Sequence, residues 1–276
     1  MKWQQAFRSY FPKHKYAIQA VYLGDNARLP WSNLGYWSDA VGDDYPAACQ
    51  NLAAHLAAAV HLNSKDRLLD LGCGQGASLI YWLEHYKIQY LEAVDLQAAC
   101  VQHVRENLNS NLQIHHASFL NLKTIFPQPC FDVVLCIDAA YHSHLNSFLD
   151  QVSAVLNSNG RLGFHCLIWA DQAPAHLLKQ LQYRALLKAA DVHFDDLMSE
   201  TQLCSLLQQH HFQQIQIEDL STQVLAGFAD YVNQHLQHQI QPRDVDWFKI
   251  AMTARLSAKL YADGWVKYVQ VSAVKD

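Results

Sequence analysis

Residues 68–76 read Leu-Leu-Asp-Leu-Gly-Cys-Gly-Gln-Gly, an apolar run with an acid near its end that passes into three glycines at alternate positions. Gly72, Gly74 and Gly76 permit a tight turn and a close approach of backbone to ligand, because they carry no Cβ. The residues that follow, Ala77–Tyr86, carry apolar side chains at helical spacing. A strand, a glycine turn and a helix in that order place a ligand at a helix start inside an α/β sheet. Asp70, two residues before the first glycine, decides what kind of ligand that is.

The same alternation continues along the chain. Arg67–Leu71 is expected as a strand and Ala77–Tyr86 as a helix. Tyr90–Asp95 follows as a strand, Gln97–Leu108 as a helix and Leu112–His116 as a short strand. Phe131–Ile137 is almost continuously apolar, as a strand buried on both faces is. Leu145–Leu156 is expected as a helix stopping near Asn159-Gly160, with Arg161–Ile168 as a fifth strand. Strands alternating with helices imply a mostly parallel sheet with right-handed crossovers and helices on both faces. Residues 45–62 form an Ala-rich helix with Pro46 in its first turn.

Residues 1–44 are aromatic-rich and broken by Pro12, Gly24, Pro30, Gly35 and Gly42; they are read as a short helix and an irregular lid segment. Beyond residue 168 the rhythm changes. Residues 173–190 and 199–210 are helical, Phe212–Asp219 alternates as a sixth strand, 221–260 are helical with a break at Pro242, and Trp265–Ala273 is the last strand. The helical stretches exceed a single-helix crossover. They are read as cap insertions at about 169–211 and 220–263, over the strand ends of one domain spanning 45–276.

Composition excludes several classes. A chain of 276 residues with half of them apolar builds a real core, and a net charge of −5 leaves no global basic footprint for nucleic acid. No apolar run is long enough to span a bilayer, and Met1-Lys2-Trp3-Gln4-Gln5 lacks the apolar stretch of a secretory signal. Seven cysteines without a paired Cys-x-x-Cys read as buried thiols of a cytoplasmic protein. Sixteen histidines include the doublets His115-His116 and His210-His211, yet no His-Glu-x-x-His occurs. Tyr231, His235 and His238 share one helix face by spacing and are read as solvated surface, so no metal is expected.

Two readings compete for the glycine turn. Gly72, Gly74 and Ala77 loosely satisfy a dinucleotide-binding loop. Asp70 argues against it, because a carboxylate beside the turn repels a pyrophosphate and attracts a cation such as a sulfonium or an α-amino group. Asp95 ends the second strand, 19 residues beyond Gly76, where an acid accepts ribose hydroxyls; the alternative is an N-cap for the next helix.

With Asp70 and Asp95 in place, the segment Leu-Asp-Leu-Gly-Cys-Gly-Gln-Gly resembles the class I S-adenosylmethionine-dependent methyltransferases. The resemblance covers roughly residues 45–219 and 264–274. It implies a Rossmann-like, seven-stranded, mostly parallel sheet plus a helical cap, with the last strand antiparallel beside the sixth. It also implies S-adenosyl-L-methionine as cofactor. Asp70 and the backbone of Gly72, Cys73 and Gly74 would hold its amino-acid part, Asp95 its ribose and Leu96 its adenine. Ser118 stands where the family commonly has Asp; its hydroxyl would still accept the hydrogen bond of the adenine amino group, and stacking by Phe119 is the alternative. Asp138 closes the fourth strand beside the methyl donor.

The stretch Asp138-Ala-Ala-Tyr-His142 resembles small-molecule members acting on phosphoethanolamine, sugars, tocopherols and sterols. That makes His142 the candidate base or acceptor-orienting residue, with His144 a weaker one and a capping or exposed histidine the alternative. Asn33-Leu34-Gly35-Tyr36-Trp37 also resembles this group. Tyr36 would bond the methionine carboxylate and Trp37 would wall the pocket; the alternative is a structural aromatic plug. Tyr22 is the other possible partner of His142.

The leading function is methyl transfer to oxygen, nitrogen or carbon of a small organic acceptor. The alternatives are a nicotinamide-dependent oxidoreductase, which Asp70 disfavours, and a non-catalytic cofactor-binding protein. Nucleic-acid partners are not expected: the paired prolines that amino-methylating DNA and RNA enzymes carry after the fourth strand are missing from Asp138-Ala-Ala-Tyr141. The cap aromatics, among them Trp169, Phe194, Phe228, Tyr231, Trp247, Phe248 and Tyr261, are compatible with a lipid or polyketide-like natural product without choosing it. A monomer and a homodimer are equally compatible with the sequence.

Overall fold

Asp44 starts the first helix by accepting the Ala47 N–H at 3.0 Å, and Pro46 occupies the first turn, where a missing N–H costs nothing. That helix, α1 (Tyr45–Ala59), leads into β1 (Arg67–Leu71), α2 (Ala77–Glu84), β2 (Tyr90–Asp95), α3 (Ala98–Asn107) and β3 (Gln113–His116). A short helix α4 (Leu122–Ile125) precedes β4 (Phe131–Cys136), α5 (Leu145–Val155) and β5 (Leu156–Trp169). Then come α6 (Leu177–Ala189), α7 (Glu200–Gln209), β6 (Phe212–Asp219), α8 (Gly227–His238), α9 (Val245–Asp263) and β7 (Val266–Lys275). The structure is a computed structural model and describes residues 20–108, 112–171, 174, 176–238 and 245–276. The expected short helix within 1–19 and the break at Pro242 lie outside the described residues.

The seven strands form one sheet in the order β3-β2-β1-β4-β5-β7-β6. Strands β1 to β5 pair in parallel, and β7 runs antiparallel between β5 and β6. The chain winds outward from β1 to β3, then returns to lay β4 against the other edge of β1, pairing Leu69 with Val134. A sheet that reverses direction in this way opens a crevice at the carboxyl ends of the strands on either side of the switch.

Successive strand residues point to opposite faces. Leu68, Val133 and Leu135 pack with Leu52, Leu56 and Trp82 on one face, whereas Leu69, Val134 and Cys136 pack with Phe148, Val152 and Phe164 on the other. Both faces of the central strands are therefore buried, which is why they read as unbroken apolar runs.

One boundary departs clearly from expectation. α5 stops at Val155 and β5 begins at once, at Leu156, with Asn159 (φ +61°) and Gly160 inside the strand. The pairing of β4 with β5 shifts register here, between Phe131 and Val133, so the expected helix stop is an irregularity of the strand. In the helical stretch after β6, a π-helical turn (Thr222–Ala226) precedes α8. No helix among the described residues is long and apolar enough to cross a membrane.

Candidate active site

A cavity of about 1010 Å³ opens at the carboxyl ends of β1, β2, β3 and β4. The glycine turn lines it. Gly72 donates its N–H to Val94 O at 2.8 Å and sits at φ +73°, and a Cβ there would lie 2.9 Å from the Ala139 Cβ. Any side chain would both strain the turn and close the gap between the β1 and β4 loops.

Asp70 faces this cavity while only 1% exposed. Trp82 Nε1 donates to its Oδ2 at 2.7 Å, and the Ser78 side chain also hydrogen-bonds it. Ser78 and Trp82 lie four residues apart on α2, on one helix face. Burial pushes the Asp70 carboxyl up to about 6, against the pull of Ser78 and Trp82. A cation brought against it reverses that shift, so the site is primed for positive charge.

Asp95 braces the turn from the neighbouring strand. Its Oδ2 accepts the Gly74 N–H at 2.8 Å and its Oδ1 accepts the Gln97 N–H at 2.7 Å. Gln97, not Asp95, is the N-cap of α3. A carboxylate offers about four acceptor positions, so bracing the turn and accepting ribose hydroxyls are compatible. Cys73, Leu96, Ser118 and Phe119 all line the cavity. Leu96 is 64% exposed. Ser118 Oγ accepts the Leu120 N–H at 3.1 Å and caps a short turn, while Phe119 meets Phe148 edge-on.

Asp138 is a junction. Its backbone is left-handed, φ +51°, an uncommon state for a residue with a side chain. Its Oδ1 accepts the hydroxyls of Tyr141 (2.5 Å) and Tyr268 (3.0 Å), and its Oδ2 accepts the Leu34 N–H at 3.0 Å. Burial raises this carboxyl also to about 6. Behind it, the Asp138 N–H donates to His165 Nδ1 at 3.3 Å, and His165 Nε2 faces Gln270 Oε1 at 3.4 Å. Gln270 Nε2 then faces His55 Nδ1 at 3.2 Å, and His55 Nε2 lies 3.4 Å from Glu218 Oε1. His165 is fully buried, which pulls it down to about 3 and keeps it neutral.

His142 ends the turn Ala140–His142 and lines the cavity. Its Nδ1 lies 3.3 Å from the Asp191 carbonyl. A carbonyl only accepts, so Nδ1 carries the proton and Nε2 the lone pair. Burial pulls this imidazole down to about 4, so it is neutral near pH 7.

Four expected contributors lie elsewhere. Tyr36 does not line the cavity: its ring packs on His55 with centroids 5.0 Å apart, and its N–H donates to Ala48 O. Trp37 stacks on Tyr231 at 4.4 Å, and its Nε1 donates to Leu34 O at 2.8 Å. The physical reason is the turn at Gly35, φ +77°, whose N–H is held by Asn33 Oδ1 at 2.8 Å. It sends Pro30–Leu34 into the cavity and Tyr36-Trp37 back onto α1 and α8, so the aromatic pair is a structural plug. Tyr22 packs against the core and His144 pairs with Asp196 at 2.7 Å; neither lines the cavity. Of the cap aromatics named above, Phe248 alone is a lining residue.

Tyr231 donates its hydroxyl to Leu23 O at 2.7 Å and stacks on His235, while the side chain of His238 lies outside the described residues. His115 pairs with Glu92 and His116 Nε2 faces Leu96 O, so that doublet splits between two partners. All seven cysteines are unbridged thiols.

Sequence reasoning missed Tyr268, His165 and the α9 cations Lys249, Arg255 and Lys259 in the cavity lining. Tyr268 is 130 positions from Asp138, and its pairing depends on β7 lying between β5 and β6. Ser78 and Trp82 did leave a signal: two donors at i and i+4 on the helix that follows the acid.

Residues 68–160 match the family model of a methyltransferase domain. Erythromycin 3''-O-methyltransferase of Saccharopolyspora erythraea is 25% identical over 246 residues, covering 85% of this chain and 76% of that one. Among solved structures, geranyl diphosphate C-methyltransferase from Streptomyces coelicolor, in complex with Mg2+, geranyl-S-thiolodiphosphate and S-adenosyl-L-homocysteine, superposes with a TM-score of 0.71 at 17% identity. That match covers 100% of this chain and 99% of the other. Phosphoethanolamine N-methyltransferase 2 of Haemonchus contortus, in complex with S-adenosyl-L-methionine, gives a TM-score of 0.70 at 15% identity over 98% of this chain and 60% of that one. Over residues 68–160 the chain matches a methyltransferase domain, and its fold resembles that of class I S-adenosylmethionine-dependent methyltransferases acting on small molecules.

Proposed function

We propose that this methyltransferase holds S-adenosyl-L-methionine along the ends of β1, β2 and β3 and methylates an oxygen, nitrogen or carbon of a small organic acceptor, seated between the β4 end and α9. One observation carries the reading: a buried carboxylate, Asp70, faces a cavity whose volume exceeds what a single drug-sized ligand needs. The fit at the donor end rests on three further features. The glycine turn has no room for a Cβ at Gly72, Asp95 ends β2 against the turn with its carboxylate on the Gly74 N–H, and Leu96 lies exposed beside it.

When bound, the cofactor supplies a methyl group on a positive sulfur, already activated for displacement. The residues of this chain bind and orient. Asp70 favours the cation and returns toward its ordinary ionised state on binding. The Asp138 carboxylate holds Leu34, and so keeps the Pro30–Leu34 segment against the cavity. The acceptor atom forms its new bond to the methyl carbon as the carbon–sulfur bond breaks, with that electron pair remaining on sulfur. An oxygen or nitrogen acceptor must also shed a proton, and His142 Nε2 is the group placed to take or steer it. An imidazole held near 4 is a weak base, so its larger contribution is to orient the acceptor by accepting its hydrogen bond.

Titration with S-adenosyl-L-homocysteine, S-adenosyl-L-methionine and NAD tests the donor. Binding of the first two with a raised melting temperature is expected; a response to NAD alone overturns the reading. His142→Ala is expected to leave S-adenosyl-L-homocysteine binding within about threefold and to lower turnover about 100-fold, in the lower range for a lost acid–base group. Unchanged turnover removes His142 from the chemistry.

A further inference from the structure

The charged residues lining the cavity are sorted by sign. The carboxylates, Asp70, Asp95 and Asp138, stand at the ends of β1, β2 and β4; the cations, Lys249, Arg255 and Lys259, all belong to α9. Lys249 and Lys259 are ten residues apart, about 15 Å along the helix axis, so the positive charge runs along the wall rather than gathering at one point. Around the cations the lining is apolar, with Leu186, Val192, Leu225 and Leu256. Phe248 and Met252 join it from α9 and are 57% and 40% exposed.

Two of the cations have helix-surface partners. Lys249 Nζ lies 2.9 Å from Asp246 and Lys259 Nζ 2.8 Å from Asp263. Neither aspartate lines the cavity, and partly exposed pairs three or four residues apart on a helix contribute little. An anion inside the cavity therefore competes for these ammonium groups at small cost. Around the helix, Lys249 lies beside Leu256 near the middle of the lining face, with Arg255 and Lys259 toward its outer edge.

From this separation of charge we infer that the acceptor is an amphiphilic anion: an apolar body bearing a phosphate or carboxylate group. Its anionic group meets Lys249 and the α9 cations, its apolar body lies along Leu186, Leu225 and Leu256, and its methyl-accepting atom reaches toward His142. The sorting of sign also separates the two ligands, because the cationic donor is attracted to the strand ends and the anionic acceptor to the helix. This inference rests on the reading of the cavity as a joint donor and acceptor site.

Calorimetric titration of the full chain saturated with S-adenosyl-L-homocysteine tests it, using octyl phosphate, octanoate, octanol and octylammonium as probes. The two anions are expected to bind at least tenfold tighter than octanol, to weaken with added salt, and to lose about tenfold in Lys249→Gln. Octanol and S-adenosyl-L-homocysteine are expected to bind that variant as they bind the unchanged chain. Octanol or octylammonium binding as tightly as the anions overturns the inference, as does anion binding that Lys249→Gln and Arg255→Gln together leave unchanged. Failure of S-adenosyl-L-homocysteine to bind at all strikes the donor reading instead.

Discussion

At the donor end of the cavity the polar groups come from residues 70–118, at the ends of three adjacent strands; at the acceptor end the wall comes from residues 186–192, Leu225 and 248–260. The donor end is braced from within by short bonds, Asp95 to Gly74 and Gln97, and Trp82 to Asp70. The acceptor wall is a helix face whose chemistry lies in side chains several turns apart. A binding site made largely of backbone tolerates little change and suits a fixed ligand. One made of side chains on an added helix can be altered without disturbing the sheet.

The comparison can be broken most directly at Asp95. Asp95→Ala removes a brace from the turn together with the proposed ribose acceptor, and S-adenosyl-L-homocysteine binding is expected to fall more than about 100-fold, since bonds to a charged acceptor are worth ~1.5–3 kcal/mol each. Leu256→Ala on the acceptor wall is expected to leave that affinity within threefold. Calorimetry on both variants decides, and comparable losses would show the two ends to be one unit.

A middle-sized effect is expected from pH. Asp70 titrates near 6 without cofactor, and a bound cation lowers that value, so the complex holds fewer protons than the free protein. Affinity for S-adenosyl-L-methionine should therefore be level above pH 6 and fall below it, by up to about tenfold per unit. His142, near 4, stays neutral through this window, whereas Asp138, also near 6, titrates within it, so loss of the slope in Asp70→Asn is what assigns it to Asp70. Trp82→Phe takes a donor from Asp70 and should move the break to higher pH, with a stability loss of ~1–3 kcal/mol visible in denaturant titration. A flat affinity profile from pH 5 to 7 would remove Asp70 from cation binding.

The smallest effect is expected at Tyr36. Its ring packs on His55 outside the cavity, so Tyr36→Phe should change cofactor affinity less than twofold. A tenfold loss would return Tyr36 to the donor site.

The donor end was the legible one. Gly72, Asp70 and Asp95 act within one strand-turn unit and its neighbour, so spacing along the chain is close to spacing in the fold. The parallel strands announced themselves because Leu68–Leu71 and Val133–Cys136 are buried on both faces. What spacing did not reveal depends on long-range pairing. The Tyr36-Trp37 segment resembled a lid over the cofactor, yet the turn at Gly35 directs it onto α1 and α8, and nothing local states which way a glycine turn will point. Tyr268 meets Asp138 because β7 inserts between β5 and β6. Lys249 lines the cavity because α9 folds back across the strand ends, and its sequence neighbourhood is that of any amphipathic helix.

The line from Asp138 through the buried His165 and Gln270 to half-buried His55 and exposed Glu218 has a one-way grammar. The Asp138 amide can only give a hydrogen, so His165 must receive on Nδ1 and give from Nε2. Gln270 must then present its oxygen inward and its NH2 outward, and His55 must receive on Nδ1 and give to the carboxylate of Glu218. A single peptide group thus sets both histidine tautomers and one amide flip across β5, β7, α1 and β6.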